Sequence, residues 1–186
     1  SEGKHTLIKV EFKSAGEKRG LLQAISDQLN TVVRSASLKA DVLGVADELI
    51  TNAVFNAPYM DVENENPGAS RSQSATKMDA GKNGVVFVGC DETRLVVGCH
   101  DPYGSLNILN LFDRVKSCYS EGVAENINLG SQGGAGIGSY LVYNASIGYY
   151  AAVSGGYMTL VCVTVPIKMS GRKRALMSKN LHYFNI

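Results

Sequence analysis

The sequence predicts an α+β domain, in which a mixed, mostly antiparallel sheet carries its helices on one face. Three observations predict this class. The predicted strands come mainly as hairpin neighbours, which pair antiparallel. The predicted helices are amphipathic and need a sheet face to cover. The chain has 186 residues, of which 45% are hydrophobic, enough for one core. We therefore expect a two-layer α/β sandwich and not a doubly wound parallel sheet.

Alternating polarity and turn residues predict the strands. The segment LIKVEF alternates apolar and polar side chains, which is typical of a strand with one solvated face. The segments VVFVGC and RLVVGCH flank the short turn DET and predict a hairpin. Gly155 and Gly156 predict the turn of a second hairpin. The predicted strands cover residues 7–12, 85–90, 94–100, 147–154 and 156–166.

Helical periodicity and breakers predict the remaining elements. Apolar residues recur every three or four positions in EKRGLLQAISDQLNTVVR. Pro58 ends the second helix, because the residue before a proline is pushed out of the helical region. The predicted helices cover residues 17–34, 38–57, 106–119 and 137–146. Polar, glycine-rich stretches predict loops at 61–83 and 122–136.

We expect one domain over residues 1–166, with 61–83 as a surface insertion and 167–186 as a basic C-terminal tail. A solvated terminal helix or a disordered end is the favoured interpretation of the tail. Contact with nucleic acid or with an acidic partner is the alternative.

Composition excludes several classes of function. The net charge of +1 gives no electrostatic case for nucleic acid or a membrane surface as the main partner. No apolar run is long enough to span a bilayer, and the start of the chain lacks a signal-peptide pattern. None of the four cysteines forms a CxxC pair, so we expect reduced thiols in a cytoplasmic protein.

The second predicted helix carries an unusual polar stripe in the segment DELITNAVFNA. With Glu48 placed at 0°, Asn52 falls at about 40° and Asn56 at about 80°. The main apolar stripe falls at about 140–240° and consists of Leu43, Ala46, Ile50, Ala53, Val54 and Ala57. Asparagine is a poor helix former, so two of them in mid-helix need a reason. A carboxylate and an amide oxygen one turn apart can bind a hard cation or position a water molecule. A plain solvated face is the alternative.

Two further segments carry candidate binding residues. The stretch SQGGAGIGSYLV places four glycines directly before a helix, where free backbone N–H groups can bind an anion; a plain flexible loop is the alternative. The stretch matches neither a P-loop nor a Rossmann fingerprint in its context. Asp101 follows a predicted strand, where its carboxylate can accept a hydrogen bond from an amino group such as that of adenine. A turn aspartate is the alternative.

The three segments ELITNAVFNA, DPYGS and GGAGIGS resemble, in this order, the nucleotide-binding boxes of the GHKL ATPase family. That family groups gyrase-type, heat-shock, histidine-kinase and mismatch-repair ATPase domains. Within it the chain looks most like the stand-alone serine kinases that act as anti-sigma factors. The resemblance covers about residues 7–166 and implies a Bergerat-type sandwich that binds ATP under a lid, here about 106–133.

The resemblance also implies roles for individual residues on the helix. Glu48 would be the general base that takes a proton from the attacking hydroxyl or water. Asn52 would ligate Mg²⁺ through its side-chain oxygen. Asn56 stands where the family often has a polar or basic phosphate contact.

The other two segments receive implied roles as well. Asp101 would bind the adenine amine, and Gly104 would let the chain approach the base. The phosphates would be cradled by Gly134, Gly136 and Gly138. The first box departs from the family pattern D-x-G-x-G, because Tyr103 and Ser105 replace glycines, and the tyrosine ring would stack on the base or obstruct it.

The implied activity is that of an ATP- and Mg²⁺-dependent serine/threonine protein kinase in bacterial signalling. Its partner would be a regulator or an anti-anti-sigma-like substrate protein, and homodimers are frequent in the family. No histidine lies on a long predicted helix, so a complete autophosphorylating histidine kinase is excluded. The catalytic fragment of a larger sensor kinase and a non-catalytic nucleotide-sensing module stay open as alternatives.

Overall fold

The computed structural model describes residues 5–59, 77–120 and 137–186. Its sheet has six strands in the order β1-β2-β3-β5-β4-β6. All neighbouring strands are antiparallel except β4 and β6, which are parallel. The strands are β1 (His5–Phe12), β2 (Gly84–Cys90), β3 (Arg94–Asp101), β4 (Gly148–Ser154), β5 (Met158–Pro166) and β6 (Asn180–Asn185).

The helices of the described ranges are α1 (Lys18–Val32), α2 (Ala36–Thr51), α3 (Ile108–Ser120), α4 (Ile137–Ala145) and α5 (Gly171–Leu176). Short 3₁₀ turns precede α1 at Ala15–Glu17 and follow α2 at Ala57–Tyr59. The five predicted strands and four predicted helices are all confirmed, with small differences at their ends. The predicted loop at 122–136 and the residues 61–76 of the insertion lie outside the described residues.

Burial shows which face of the sheet the helices cover. Val86, Val88 and Val97 are almost fully buried, whereas Val85, Phe87 and Val96 are only partly buried. Ile25 on α1 and Ile50 on α2 belong to the same buried cluster. Burial of alternate strand residues against helices is what a sheet with one covered face requires. The α+β class and its mostly antiparallel sheet are therefore as predicted.

The second helix differs from its predicted form at its C-terminal end. It begins after Ser35, whose hydroxyl oxygen accepts a hydrogen bond from the Leu38 N–H at 3.2 Å. After Thr51 the chain stays helical but widens into a π turn at Asn52–Asn56, closed by the Ala57 N–H donating to the Asn52 carbonyl. Such turns occur often at functional sites. The predicted α-helix over 38–57 is thus regular only as far as Thr51.

The C-terminal segment 167–186 is part of the sheet structure. It forms α5 and then β6, which extends the sheet beside β4. Arg174 is 1% exposed and pairs with Asp41 on α2. The Lys179 ammonium donates to three backbone carbonyls, at 2.5–2.9 Å, near the ends of α4 and α5. A disordered end does not describe this segment, and its short helix α5 is solvated only in part, because buried polar contacts fix the segment to α2 and α4.

Candidate functional site

A cavity of about 80 Å³ lies between the helices and the ends of the central strands. The C-terminal end of α2 and the π turn supply one wall, and α3 supplies another. Three of the residues singled out from the sequence, Asn52, Asn56 and Asp101, line this cavity together. They come from positions about 50 residues apart in the chain, so only the fold brings them together.

The polar stripe of α2 is a hydrogen-bonded ladder. The Asn52 side-chain N–H donates to Glu48 Oε1 at 3.1 Å, and the Asn56 N–H donates to Asn52 Oδ1. Each residue thereby fixes the next one along the helix. The Asn52 oxygen accepts the hydrogen bond from Asn56 and, as an amide oxygen, has a second lone pair. A hard cation could bind to this second lone pair of the Asn52 oxygen.

Glu48 is not among the described residues that line the cavity; it is hydrogen-bonded to the lining residue Asn52 and lies against the first turn of α4. A Cβ atom added to Gly138 would lie 1.9 Å from the Glu48 Cδ atom, so only glycine leaves room for the carboxylate in this position. Burial raises the pKa of Glu48 above its ordinary value, while the hydrogen bond from Asn52 and the charges of Lys18 and Arg114 oppose the rise. A carboxylate with a raised pKa is a stronger base, which suits the acceptance of a proton.

Asp101 lines the cavity at the end of central strand β3. It is 8% exposed, and burial raises the pKa of its carboxyl to about 6. The backbone N–H of Tyr103 donates to Asp101 Oδ1 at 3.0 Å and fixes the carboxyl. The position of this acid is therefore set by the main chain.

Thr159 is the buried neighbour of Asp101 across the β3–β5 ladder and also lines the cavity. Its hydroxyl is near enough to lower the pKa of Asp101 but has no hydrogen-bond partner within 3.5 Å in the described part of the chain. A buried hydroxyl without a partner is costly unless a ligand or water supplies one. Asp101 and Thr159 together present an acceptor and a hydroxyl to a polar molecule.

Tyr103 points away from the cavity. Its hydroxyl oxygen accepts a hydrogen bond from the Asp79 N–H at 3.2 Å, and the Lys82 ammonium lies 4.2 Å from the centre of its ring. The ring thus packs against the segment that leads into β2. The expectation that it would stack on a bound base or obstruct it finds no support in this geometry.

Gly104 has a structural reason to be glycine. Its φ of +65° is in the left-handed region, and an added Cβ would lie 2.0 Å from the Ser154 carbonyl oxygen in the β4–β5 turn. Close packing on this turn requires glycine whether or not a ligand binds. Its role beside a nucleotide base stays a prediction.

Several polar cavity residues were not singled out from the sequence, among them Asn107, Asn110, Ser139 and Thr159. Asn107, Asn110 and Arg114 follow one another at helical spacing on α3 and its N-terminal side, and Ser139 comes from the first turn of α4. The spacing of three and four residues was a signal that could have identified the α3 stripe. Arg114 lowers the pKa of Glu48 and is absent from the charges that act on Asp101, so it belongs to the Glu48 end.

Further findings concern the predicted phosphate-binding glycines, metal ligands, membrane-spanning helices and cysteines. Gly134 and Gly136 lie outside the described residues, so their predicted phosphate contacts stay predictions. Among the residues that the structure describes, no group of three or more His, Cys, Asp or Glu side chains could hold a metal ion. Within the same ranges, no helix is both long and apolar enough to cross a membrane. No disulfide links any of the four cysteines.

The fold and the cavity define an α+β domain with a mainly apolar site, carrying a few polar side chains, between its helical layer and the ends of its central strands. No protein-family model matches the chain. No curated protein matches it significantly.

Proposed function

We propose that the chain is an ATP-binding domain of the GHKL type, with a Bergerat-type fold, that acts as a serine/threonine protein kinase on a small regulatory protein. One observation carries the proposal. The acid expected to recognise adenine, Asp101, and the amides expected beside the metal and phosphates, Asn52 and Asn56, line the same cavity.

Asp101 and Thr159 would recognise the base. The exocyclic amine of adenine donates hydrogen bonds, and the fixed Asp101 carboxylate accepts them. The Thr159 hydroxyl, which has no partner within 3.5 Å in the described residues, would complete the contact. A guanine base presents a carbonyl oxygen at the corresponding position, and this oxygen would face the carboxylate. The pair therefore favours adenine over guanine.

Asn52 and Arg114 would hold the phosphate end. Mg²⁺ prefers oxygen ligands and commonly takes only one or two from the protein when phosphates supply others, so the Asn52 oxygen fits it. When bound, the ion would neutralise charge on the phosphate oxygens. Arg114 lines the cavity and its charge acts on Glu48, so it would contact the terminal phosphate.

Glu48 would act as the base. It would take the proton of a serine or threonine hydroxyl as that oxygen forms a bond to the terminal phosphorus and the bond to the bridging oxygen breaks, releasing ADP. Its hydrogen bond from Asn52 and its contact with Gly138 fix the carboxylate in position.

Nucleotide binding requires α3 to move. The cavity holds about 80 Å³, whereas sites for molecules of nucleotide size hold about 300–1,000 Å³. Helix α3 contributes Leu111 and Arg114 to the cavity, while its Leu109 and Phe112 are 68% and 46% exposed. An outward displacement of α3 would enlarge the site without opening the sheet core.

Calorimetric titration with Mg-ATP, Mg-ADP and Mg-GTP tests binding. We expect ATP and ADP to bind and GTP to bind at least tenfold more weakly. Transfer of radiolabelled phosphate to candidate partner proteins, with wild type and Glu48→Ala, then tests chemistry. The absence of any ATP binding would overturn the whole proposal.

A non-catalytic nucleotide-sensing module is the second candidate. The altered first box favours it, because Tyr103 and Ser105 stand where the family pattern has glycines. This candidate predicts ATP binding that alters the affinity for a partner, with no phosphate transfer by the wild type.

A further inference from the structure

The two edges of the sheet differ in how well they are protected against pairing. At one edge, β1 carries Lys9 and Glu11, and its register with β2 shifts between Thr6 and Ile8. Charges and irregularities are the usual means of blocking an edge strand. At the other edge, β6 has the sequence NLHYFN, without lysine, arginine, acid or proline. Strand β6 pairs with β4 in regular parallel register over its whole length.

The hydrogen bonds of β6 show which of its backbone groups face outward. The N–H groups of Asn180 and Ile186 donate to carbonyls on the β4 side, Ile147 and Val153, at 3.1 and 2.9 Å. Because backbone groups alternate along a strand, the even-numbered residues face β4. The N–H and C=O groups of Leu181, Tyr183 and Asn185 therefore point away from the sheet.

We propose that β6 pairs antiparallel with β6 of a second copy of the chain, about a two-fold axis at Tyr183, to form one continuous sheet. In that register Tyr183 lies opposite Tyr183 of the other copy, and Leu181 lies opposite Asn185. All three pairs use outward-facing groups, so every pair is of the hydrogen-bonded kind. A two-fold interface needs a self-complementary surface, and this strand meets that requirement.

The side chains of β6 are compatible with a second copy. Tyr183 is 40% exposed, Phe184 is 50% exposed and Ile186 is 67% exposed, so the strand presents apolar surface to solvent. His182 already stacks on Tyr150, with ring centroids 4.9 Å apart, and would lie opposite Phe184 of the other copy. Aromatic pairs across neighbouring strands stabilise a sheet. No fixed charge of one copy would meet the same charge of the other.

Residue-resolved amide hydrogen exchange, measured at low and high protein concentration, tests this register. The amides of His182 and Phe184 face β4 and should be protected at both concentrations. The amides of Leu181, Tyr183 and Asn185 should exchange quickly in the monomer and at least tenfold more slowly in the dimer. Dimerisation without added protection of these three amides would overturn the proposal, because the interface would lie elsewhere.

Sedimentation of matched variants supplies the second test. Tyr183→Lys places two like charges opposite each other on the two-fold axis and should weaken dimerisation at least tenfold. Phe112→Lys changes an aromatic residue of similar exposure on α3 and should leave dimerisation unchanged. Thermal unfolding of both variants at low concentration should match wild type and shows that they fold. A wild type that stays monomeric up to sub-millimolar concentration would overturn the proposal, whatever the nucleotide result.

Discussion

The two acids of the candidate site, Asp101 and Glu48, are held by different kinds of contact. Asp101 lies at the end of a central strand, and a backbone N–H holds its carboxyl in place. Glu48 lies on a helix, where the side chain of Asn52, itself bonded to Asn56, donates to it, and it rests on the first turn of α4. The strand end is therefore a fixed point of recognition. The helical end can adjust when a ligand enters.

Replacing Glu48 should have the largest effect. Glu48→Gln keeps the size of the side chain and an oxygen that accepts the Asn52 hydrogen bond, but it removes the base. We expect phosphate transfer to fall about 10²–10⁴-fold with ATP binding retained. The wild-type rate should also fall as pH drops through a pKa above the ordinary 4.5 of glutamate. The exposed turn residue Glu92 supplies the control, Glu92→Gln, and equal losses in both variants would contradict a role for Glu48.

Gly138→Ala tests how strongly phosphate transfer depends on the position of the Glu48 carboxylate, because it leaves the carboxylate itself unchanged. The added methyl group overlaps the Glu48 carboxylate, which as the end of a side chain can move aside. We expect transfer to fall about 10²-fold, because small displacements of a reacting group are costly, with little change in thermal stability. Gly44→Ala is the matched control on α2, where a Cβ meets no atom within 4 Å. It should raise stability by about 0.5–1 kcal/mol and leave transfer unchanged.

Asp101→Asn should weaken nucleotide binding and also change how the stability of the fold depends on pH. Loss of the charged acceptor should weaken Mg-ATP binding about 10–100-fold, as measured by calorimetry. The raised pKa of about 6 means that the folded state favours the protonated acid, so this acid destabilises the fold as pH rises through that value.

The same variant should therefore be more stable than wild type above pH 6, by about 1–3 kcal/mol, with the difference vanishing near pH 4. Denaturant unfolding at both pH values measures this difference. A variant that is less stable than wild type at high pH would show that the carboxylate is held by contacts stronger than its desolvation.

Arg114→Gln should give the smallest effect. We expect about tenfold weaker binding of Mg-ATP and a smaller loss for Mg-ADP, because only the terminal phosphate would lose a charged contact. Lys116→Gln on the exposed face of α3 is the control and should bind both nucleotides as wild type does. Equal losses for ATP and ADP would place Arg114 away from the terminal phosphate.

Periodicity in the sequence predicted most elements of the fold, because each of those elements buries one side against a common core. The C-terminal strand escaped this reasoning. NLHYFN shows no clear alternation, since β6 is an edge strand with nearly every residue exposed. The neighbouring positions of β3 and β5 also could not be predicted, because they depend on how two separate hairpins meet.

The candidate site was predictable in part. The spacing of Glu48, Asn52 and Asn56 identified a polar helical stripe, which the hydrogen-bonded ladder confirms as a structural unit. The π turn was not predictable, because local propensities do not distinguish it from α-helix. Thr159 was missed because nothing in a strand sequence shows which alternate residues face a cavity.

The structural role of Gly104 limits what conservation of this glycine among relatives of the chain can show. Its left-handed backbone and its contact with the Ser154 carbonyl tie glycine to folding. Selection for a folded domain alone would preserve it, even in a lineage that had lost every ligand. Evolutionary retention of Gly104 would therefore say nothing about nucleotide use. Joint retention or joint loss of Asp101 and Asn52, which no fold requirement seen here couples, would be the informative pattern.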